Sequence, residues 1–385
     1  MRLRFKTFLD LVIIKKIIEV ESSIATIVYY EYGDKETSMV ADFYYTFDDV
    51  LIAPSFSDIE SRSEIDTSVD FLGLKLTIPF ISSNMDYVTG PTMAHRMHTL
   101  GGLGILHRFV PWETQLEYIS ALHQAEVPII ISVGIRDLKE TMEHIKQAEG
   151  IHGVCIDVAH GHHAKVAQLL ELIKGSPDDN IAELQVIAGN VASLEGVGFL
   201  YEAGADAAKV GIGAGSVCTT RTVAGVGIPQ MSAIIECVAA KEELKDGIKI
   251  IADGGFRYSG DIAKALAAGA DAVMVGNLFA GTDETPGDVF DNDGKKYKRY
   301  RGQASFGSNG ERYVKEGIEG IVPYKGPLEP IVHKLRAGLQ SSMSYVGARN
   351  LAEFAVKAKF VEVSSHTMME NSTRVEEIVD GSGKE

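Results

Sequence analysis

Short apolar runs recur at regular intervals along this chain from residue 77 onward. There are eight of them, and each ends in small or polar residues. Strands that are buried on both faces read as continuous apolar runs of this kind, because neither face meets water. We therefore predict eight buried strands, at residues 77–83, 103–107, 128–134, 153–159, 184–189, 207–213, 248–254 and 272–276.

The intervals between these runs carry the hydrophobic spacing of amphipathic helices. Clear examples are residues 138–149, 165–173, 194–203, 232–244 and 259–268. Eight strand–helix units in succession predict a (β/α)8 TIM barrel, an α/β fold with right-handed crossovers. An open doubly wound sheet is the main alternative. The even spacing disfavours it, and no Gly-x-Gly-x-x-Gly turn opens an early helix.

We expect the barrel to occupy residues 41–378 as a single domain. Residues 1–40 would form an N-terminal extension of uncertain structure, and residues 379–385 a disordered tail. The apolar patches near the N-terminus are too short for a membrane span, so we predict no membrane partner.

Polar residues and glycines cluster where the predicted strands end. A barrel of this class carries its chemistry at the C-terminal ends of its strands, and the loops after strands seven and eight commonly bind phosphate. The residues in these positions are Ser83, Asn84, Met85, Asp86, His107, Arg108, Asp157, His160, Asn190, Cys218, Asp253, Gly254, Gly255, Gly276 and Asn277.

The most informative of these loops spans residues 211–221, where three spaced glycines precede Cys218. The bare backbone of glycine can approach a phosphate or a cation closely. Thr219, Thr220 and Arg221 stand beside the thiol and can stabilise a thiolate, which is the form that attacks an electrophilic carbon. The alternative is a small buried hydrophobe in a glycine-rich turn.

Other strand-end residues have two interpretations each. Asp253 precedes two glycines and could accept hydrogen bonds from a ribose diol, or it could only cap the next helix. Asp157 could orient a second ligand or cap its own loop. His160, His162 and His163 lack a further Cys or carboxylate at matching spacing, so we do not predict a zinc site there.

A basic, glycine-rich stretch at residues 295–313 follows the eighth unit. We interpret it as a mobile loop rather than a ninth unit. Arg312 and Tyr313 could close over the site and supply a general base, although arginine is ordinarily far too basic for that task. A solvated surface loop is the alternative.

Overall charge limits the partners of this chain. A formal net charge of −16 over 385 residues argues against a nucleic-acid surface, which needs a basic face. A small anionic ligand remains possible, because loop amides can hold a phosphate locally. Three cysteines form no disulfide framework, so we expect the reducing cytoplasm, with Cys155 and Cys237 as core residues.

Several segments together resemble the family of inosine-5′-monophosphate (IMP) dehydrogenases and guanosine-5′-monophosphate (GMP) reductases. The resemblance spans roughly residues 45–378 and rests on specific motifs. These are Thr-Phe-Asp-Asp-Val-Leu at 46–51, the cysteine region at 211–230, Ile-Ala-Asp-Gly-Gly at 251–255, Tyr-Ser-Gly-Asp at 258–261, Gly-Ile-Glu-Gly at 317–320 and Pro-Tyr-Lys-Gly at 323–326.

The resemblance implies a covalent mechanism. Cys218 would attack C2 of IMP, hydride would pass to NAD, and the resulting thioimidate would be hydrolysed to xanthosine monophosphate (XMP), with Thr220, Arg312 and Tyr313 as further catalytic residues. The implied nucleotide contacts are Ser83, Met85, Ser216, Asp253, Gly255, Gly276, Asn277, Tyr300, Gly302, Gln303 and Glu316. The implied dinucleotide contacts are Asp157, Gly211 and Gly213. The resemblance also implies a homotetramer, and a potassium site formed by the carbonyl groups of Gly213, Gly215 and Cys218 with Glu370 of a neighbouring subunit.

The branch within the family is open to argument. Phe306 stands where reductases carry a catalytic glutamate, and the pair Arg312-Tyr313 matches the dehydrogenase flap, so we favour the dehydrogenase. On the other side, no regulatory domain interrupts the barrel, and the flap at about 302–326 is as short as in reductases. NADPH-dependent reduction of GMP is therefore the alternative, and a nucleotide-binding homologue without turnover is a further one.

Overall fold

The computed structural model describes residues 27–32, 35–40, 44–245, 247–302, 316–364 and 366–367. Contacts divide the chain into two compact units, with the boundary after Tyr44. In the first unit, strand β1 (Ile27–Tyr32) pairs antiparallel with β2 (Lys35–Val40).

Three short strands open the second unit. They are β3 (Val50–Ala53), β4 (Val69–Phe71) and β5 (Leu74–Leu76). Strands β4 and β5 form an antiparallel hairpin, and the carbonyl oxygen of Leu72 in its turn lies 2.7 Å from Nε2 of His152.

Eight parallel strands then close into a barrel in chain order, as predicted. They are β6 (Phe80–Ser82), β7 (Leu103–Leu106), β8 (Ile130–Val133), β9 (Gly153–Asp157), β10 (Gln185–Val191), β11 (Ala207–Val210), β12 (Lys249–Asp253) and β13 (Ala272–Val275). Most of them end before the predicted residue. In β11 the cause is local, because Gly211 and Gly213 adopt positive φ angles of 148° and 81° and turn the chain out of the strand.

The barrel interior is apolar at one end and polar at the other. Alternate residues of a strand point to the same face, so every second residue faces the interior. An apolar cluster joins inward residues such as Cys155, Ala207 and Ile251 to Phe71 of the hairpin, which plugs the N-terminal end of the barrel. Two positions further along the same three strands stand Asp157, Lys209 and Asp253. A layer of charged side chains therefore lies directly above the apolar one.

Helices follow the strands, and most of them cover the outside of the barrel. They are α1 (Pro91–Thr99), α2 (Trp112–Gln124), α3 (Leu138–Gln147), α4 (Ala164–Lys174), α5 (Asp179–Ala182), α6 (Leu194–Glu202), α7 (Thr220–Val223), α8 (Gln230–Glu243), α9 (Ser259–Ala267), α10 (Leu328–Val346) and α11 (Leu351–Lys357). Helix α4 shows why they form, since its buried residues Val166, Leu169, Leu170 and Ile173 follow the helical period. Among the described helices, none combines the length and the apolar composition that crossing a membrane requires.

The basic stretch after the eighth unit is only partly a loop, and the prediction for residues 295–301 was wrong. An antiparallel sheet joins β14 (Phe290–Asn292), β15 (Lys295–Arg301) and β16 (Glu319–Pro323), while β17 (Lys359–Glu362) pairs with β3. Lys298 explains the error: its side chain is buried, and its ammonium donates hydrogen bonds to the carbonyl oxygens of Thr282 and Thr285, at 3.1 and 2.5 Å. A charge that reads as solvated in the sequence is satisfied by backbone inside the fold.

Candidate active site

A cavity of about 1440 Å³ opens at the C-terminal ends of the barrel strands. Its walls include every described residue to which the family resemblance assigns a role: Ser83, Met85, Asp157, Gly211, Gly213, Gly215, Ser216, Cys218, Thr220, Asp253, Gly255, Gly276, Asn277, Tyr300, Gly302 and Glu316. Four of the strand-end candidates do not line it: Asn84, Asp86, His107 and His160. Four predicted site residues, Gln303, Arg312, Tyr313 and Glu370, lie outside the described residues, as does Phe306. The barrel therefore gathers residues from across the chain around one space of ligand size.

Cys218 lies in the wall of this cavity and is partly exposed. Its amide donates a hydrogen bond of 3.1 Å to the carbonyl of Gly215, which closes a tight turn. Its Sγ lies 3.1 Å from Oγ1 of Thr220, at the start of α7. A hydroxyl at this distance can donate to a thiolate and stabilise it. Thr219 is held in turn by the carbonyl of Glu316, 3.0 Å from its amide.

The other two cysteines differ sharply from Cys218. Cys155 points into the barrel and Cys237 lies in α8, and both are fully buried, as predicted. Burial raises the pKa of the Cys155 thiol to about 12, with the Asp157 carboxylate adding to the effect. Burial also raises the pKa of Cys237 well above its ordinary range. Both groups therefore stay as inert thiols, and only Cys218 of the three can meet a ligand.

One wall of the cavity carries hydroxyl and amide groups. Oγ of Ser216 lies 3.4 Å from the phenol oxygen of Tyr300 and accepts a hydrogen bond of 3.2 Å from Nδ2 of Asn277. Burial raises the pKa of Tyr300 to about 12, so its phenol remains protonated and can donate. A Cβ added at Gly276 would lie only 3.1 Å from that oxygen. This wall offers neutral donors and open backbone, which suits a phosphate ester.

A second part of the cavity wall carries a buried charge cluster. The ammonium of Lys209 lies 2.8 Å from Oδ2 of Asp253 and 3.1 Å from Oδ1 of Asp157. Asn190 joins the cluster, because its Nδ2 donates to Oδ2 of Asp253 at 2.9 Å. Arg108 approaches Asp157 from the cavity side, with its Nε 4.0 Å from Oδ2. Both aspartates are thus held by side chains of the barrel, and within the described residues neither accepts a hydrogen bond from a helix N-terminus.

The backbone of Gly211, just after β11, packs directly against the backbone of Asp253 at the end of β12. A Cβ at Gly211, where φ is 148°, would lie 2.2 Å from the carbonyl oxygen of Asp253. Gln230 fastens the two loops, since its Nε2 donates to the carbonyls of Val210 and Asp253 at 2.9 and 3.1 Å. The cysteine loop is therefore fixed relative to the strand that carries Asp253.

From the sequence, Arg108 and Asn190 are strand-end residues without an assigned role. Lys209 and Gln230 are not predicted to belong to the site at all. A signal for Lys209 exists, because a lysine interrupts an otherwise apolar strand at 207–210. A buried lysine needs a carboxylate partner, and two strand-end aspartates were available.

The histidines after β9 have structural roles. The ring of His162 packs on Phe199, with centroids 4.6 Å apart, and Nδ1 of His163 accepts the amide of Lys165 at the start of α4, at 3.1 Å. Within the described ranges no cluster of three or more His, Cys, Asp or Glu side chains is arranged to bind a metal ion.

Comparison with known proteins places the chain in a family. The family model "IMP dehydrogenase / GMP reductase domain" matches residues 44–374. The IMP dehydrogenase of Aquifex aeolicus is 35% identical over 461 aligned residues, which cover 83% of this chain and 93% of that protein. The IMP dehydrogenase of Cryptosporidium parvum is 36% identical over 392 aligned residues, covering 87% and 96%.

A solved structure has the same fold. It is a GMP reductase variant from Trypanosoma brucei in complex with GMP, which matches with a TM-score of 0.80 and 29% identity, covering 87% of this chain and 98% of that one. The barrel, the cavity at its C-terminal end and the matched family model agree, so this chain belongs to the IMP dehydrogenase / GMP reductase family.

Proposed function

We propose that this protein oxidises IMP to XMP with NAD as hydride acceptor. The observation that carries the proposal is the position of Cys218, whose thiol stands beside the Thr220 hydroxyl in a cavity that also holds Asp253 and Asp157. The relatives support the dehydrogenase branch, because several named IMP dehydrogenase are 32–36% identical over most of this chain.

In the proposed mechanism, the nucleotide phosphate lies against the wall of Ser216, Tyr300 and Asn277, and the ribose diol donates to Asp253. This places the purine over Cys218. The Sγ thiolate, stabilised by the Thr220 hydroxyl, forms a bond to C2.

Asp157, Gly211 and Gly213 would hold NAD, which would supply the acceptor for the hydride and electron pair that C2 loses. Cys218 then holds the purine as a thioimidate. Water adds to C2, the C2–S bond breaks, and XMP leaves with the release of one proton. We assign activation of this water to Arg312 and Tyr313 on the flap, and further nucleotide contacts to Ser83, Met85, Gly255, Gly276, Gly302, Gln303 and Glu316.

We further propose a potassium site at the carbonyl groups of Gly213, Gly215 and Cys218, with Glu370 from a neighbouring subunit. The turn closed between Gly215 and Cys218 offers backbone oxygens, which are the ligands that alkali cations accept. A bound cation would hold the Cys218 turn in the shape that the reaction needs. Activity measured in potassium and in tetramethylammonium chloride tests this site.

Exposed apolar side chains indicate how the protein assembles. Phe56, Tyr345 and Val356 are 89%, 61% and 86% exposed. The first two lie near each other, because the amide of Ser55 donates to the carbonyl of Tyr345. Exposed apolar groups of this size favour an interface, so we propose a homotetramer, to be tested by light scattering after size exclusion. The three unpaired cysteines favour the reducing cytoplasm.

Reduction of GMP with NADPH is the second candidate function. The fold match to a GMP reductase at a TM-score of 0.80 is the observation that favours it. The lack of an inserted regulatory domain does not favour the reductase over the dehydrogenase. The Aquifex alignment has 461 positions against 385 residues here, so that relative has a segment without counterpart. The Cryptosporidium dehydrogenase aligns over 392 positions without so long a gap.

One two-substrate assay separates these functions. We expect absorbance of NADH to rise when purified protein receives IMP and NAD. Consumption of NADPH with GMP and release of ammonia would instead establish the reductase. Calorimetric binding of IMP with no hydride transfer from either pair would identify a homologue without turnover.

A further inference from the structure

Lys209 is the most deeply buried charged group at the candidate site. Its side chain is 2% exposed, and its ammonium contacts Oδ2 of Asp253, Oδ1 of Asp157 and Oδ1 of Asn190. Burial by itself lowers the pKa of Lys209, but the neighbouring carboxylates of Asp253 and Asp157 outweigh it and raise that pKa. The ammonium is therefore charged at neutral pH.

The barrel register explains how Lys209 reaches both carboxylates. Strand β10 lies between β9 and β11, and Gly189 of β10 stands level with both Asp157 and Lys209. A Cβ at Gly189 would lie 2.7 Å from Cβ of Lys209 and 2.6 Å from its carbonyl oxygen. Because this glycine has no side chain, Lys209 and Asp157 can meet across the intervening strand.

One ammonium is shared by two carboxylates in this cluster. Lys209 pairs with both Asp157 and Asp253, while Arg108 pairs with Asp157 alone, at 4.0 Å. Among the described residues, Lys209 and Asn190 both bind Oδ2 of Asp253, which leaves Oδ1 for a ligand hydroxyl. The Asp253 side chain is 18% exposed, in contrast to 3% for Asp157. Asp253 is therefore held from inside the barrel and open towards the cavity.

We propose that Lys209 is a positioning residue that couples the nucleotide subsite to the dinucleotide subsite. The inference rests on the proposed function, which gives Asp253 to the nucleotide ribose and Asp157 to the dinucleotide. One ammonium fixes both carboxylates, so its loss leaves two negative charges facing each other in a buried layer. Each carboxylate then turns away from its ligand, and both ligands bind less well.

Three variants test this coupling through the KM values for IMP and NAD, measured separately. Lys209→Met removes the charge and should raise both KM values roughly tenfold to hundredfold, since a hydrogen bond to a charged group is lost at each subsite. Lys209→Arg keeps the charge and should recover most of both losses. In Lys209→Met/Asp157→Asn the repulsion on Asp253 is gone, so the IMP KM should fall at least about threefold relative to Lys209→Met alone.

Lys241→Met is the matched control, because Lys241 also pairs with a buried aspartate, Asp271, but at the N-terminal end of the barrel. It should lower the free energy of unfolding and leave both KM values unchanged. A purely structural role for Lys209 would make its variants behave in the same way.

The proposal is overturned if folded Lys209→Met keeps both KM values, or changes only one of them, or if the double variant recovers no affinity for IMP. Circular dichroism checks folding, and Lys209→Gln replaces the methionine variant if that one does not fold. A wild-type protein that turns over GMP with NADPH would refute the proposed function but not the coupling. The same KM criteria would then be applied to that substrate pair.

Discussion

The two ends of the barrel use the same residue types in different arrangements. At the N-terminal end, the carboxylate of Asp271, just before β13, accepts from Lys241 at 3.0 Å, from Lys249 at 3.2 Å and from the amide of Ile250 at 2.8 Å. Asp206, just before β11, repeats the arrangement with Lys174. Each carboxylate there has more than one donor, and the charge is satisfied within the fold.

At the C-terminal end one ammonium is shared between two carboxylates. Lys209 serves both Asp157 and Asp253, and the second of these keeps an open side towards the cavity. The open Oδ1 of Asp253 is an acceptor that a hydroxyl-bearing ligand can use. The comparison teaches that a lysine–aspartate pair serves stability where donors of the protein satisfy the carboxylate, and serves binding where one carboxylate oxygen stays open to the cavity.

The largest expected effect comes from removing the Cys218 thiol, a change that leaves the charged side chains at the C-terminal end of the barrel in place. Cys218→Ala should lower turnover on the order of 10⁴-fold or more, because the covalent step has no other nucleophile. IMP should still bind, as measured by calorimetry. Cys237→Ala is the control and should keep its turnover; a Cys218→Ala protein with a tenth of wild-type turnover would rule out the covalent step.

A change at the N-terminal end should affect stability alone. Asp271→Asn leaves Lys241 and Lys249 without their carboxylate and should lower the free energy of unfolding by about 3 kcal/mol, as expected for a broken buried ion pair. Urea unfolding measures the loss. The KM values for IMP and NAD should stay unchanged; a large rise in either would contradict the division between the two ends.

The matching change at the C-terminal end should have the reverse pattern. Asp253→Asn keeps an oxygen acceptor but loses the charge, and it should raise the KM for IMP roughly tenfold to hundredfold. Its effect on unfolding should be smaller than that of Asp271→Asn, because Asp253 is partly open to water. Steady-state kinetics with varied IMP give the first value and urea unfolding the second. Equal stability losses in the two variants would break the comparison.

The smallest expected effect depends on pH. His107, which follows β7, has its pKa lowered to about 4 by burial and by nearby Arg301, and its Nδ1 accepts the amide of Phe109. The unfolded chain therefore takes up this proton first, and stability is lost as pH falls from about 6.5 towards about 4.

Between about pH 7.5 and pH 5.5 this group should account for a loss of about 1 kcal/mol in the free energy of unfolding. His107→Gln should remove that part of the pH dependence, as measured by urea unfolding at both pH values. Parallel curves for wild type and variant would show that His107 is not held neutral at the C-terminal end.

Much of the fold was predictable, because a strand that is buried on both faces appears in the sequence as a continuous apolar run. This run can be recognised without knowing which strands lie beside it. All eight predicted runs contain a strand, and strand-end residues such as Ser83, Asp157 and Asp253 line one cavity. Four other strand-end residues do not line it: Asn84, Asp86, His107 and His160. The roles of Gln303, Arg312, Tyr313 and Glu370 stay predictions. Lys298 was misread, because its partners are carbonyl groups that no sequence pattern identifies.

By itself, the sequence determined which residues stand at strand ends and which thiol could react, since both follow from the local order of apolar, glycine and polar residues. Only the tertiary structure decided that Lys209 joins Asp157 to Asp253. That contact depends on the register of three neighbouring strands and on the missing side chain of Gly189 between two of them. Closing the barrel brings residues that are distant in sequence to the same level along its axis. The number of carboxylates that contact the Lys209 ammonium is therefore decided by the tertiary structure.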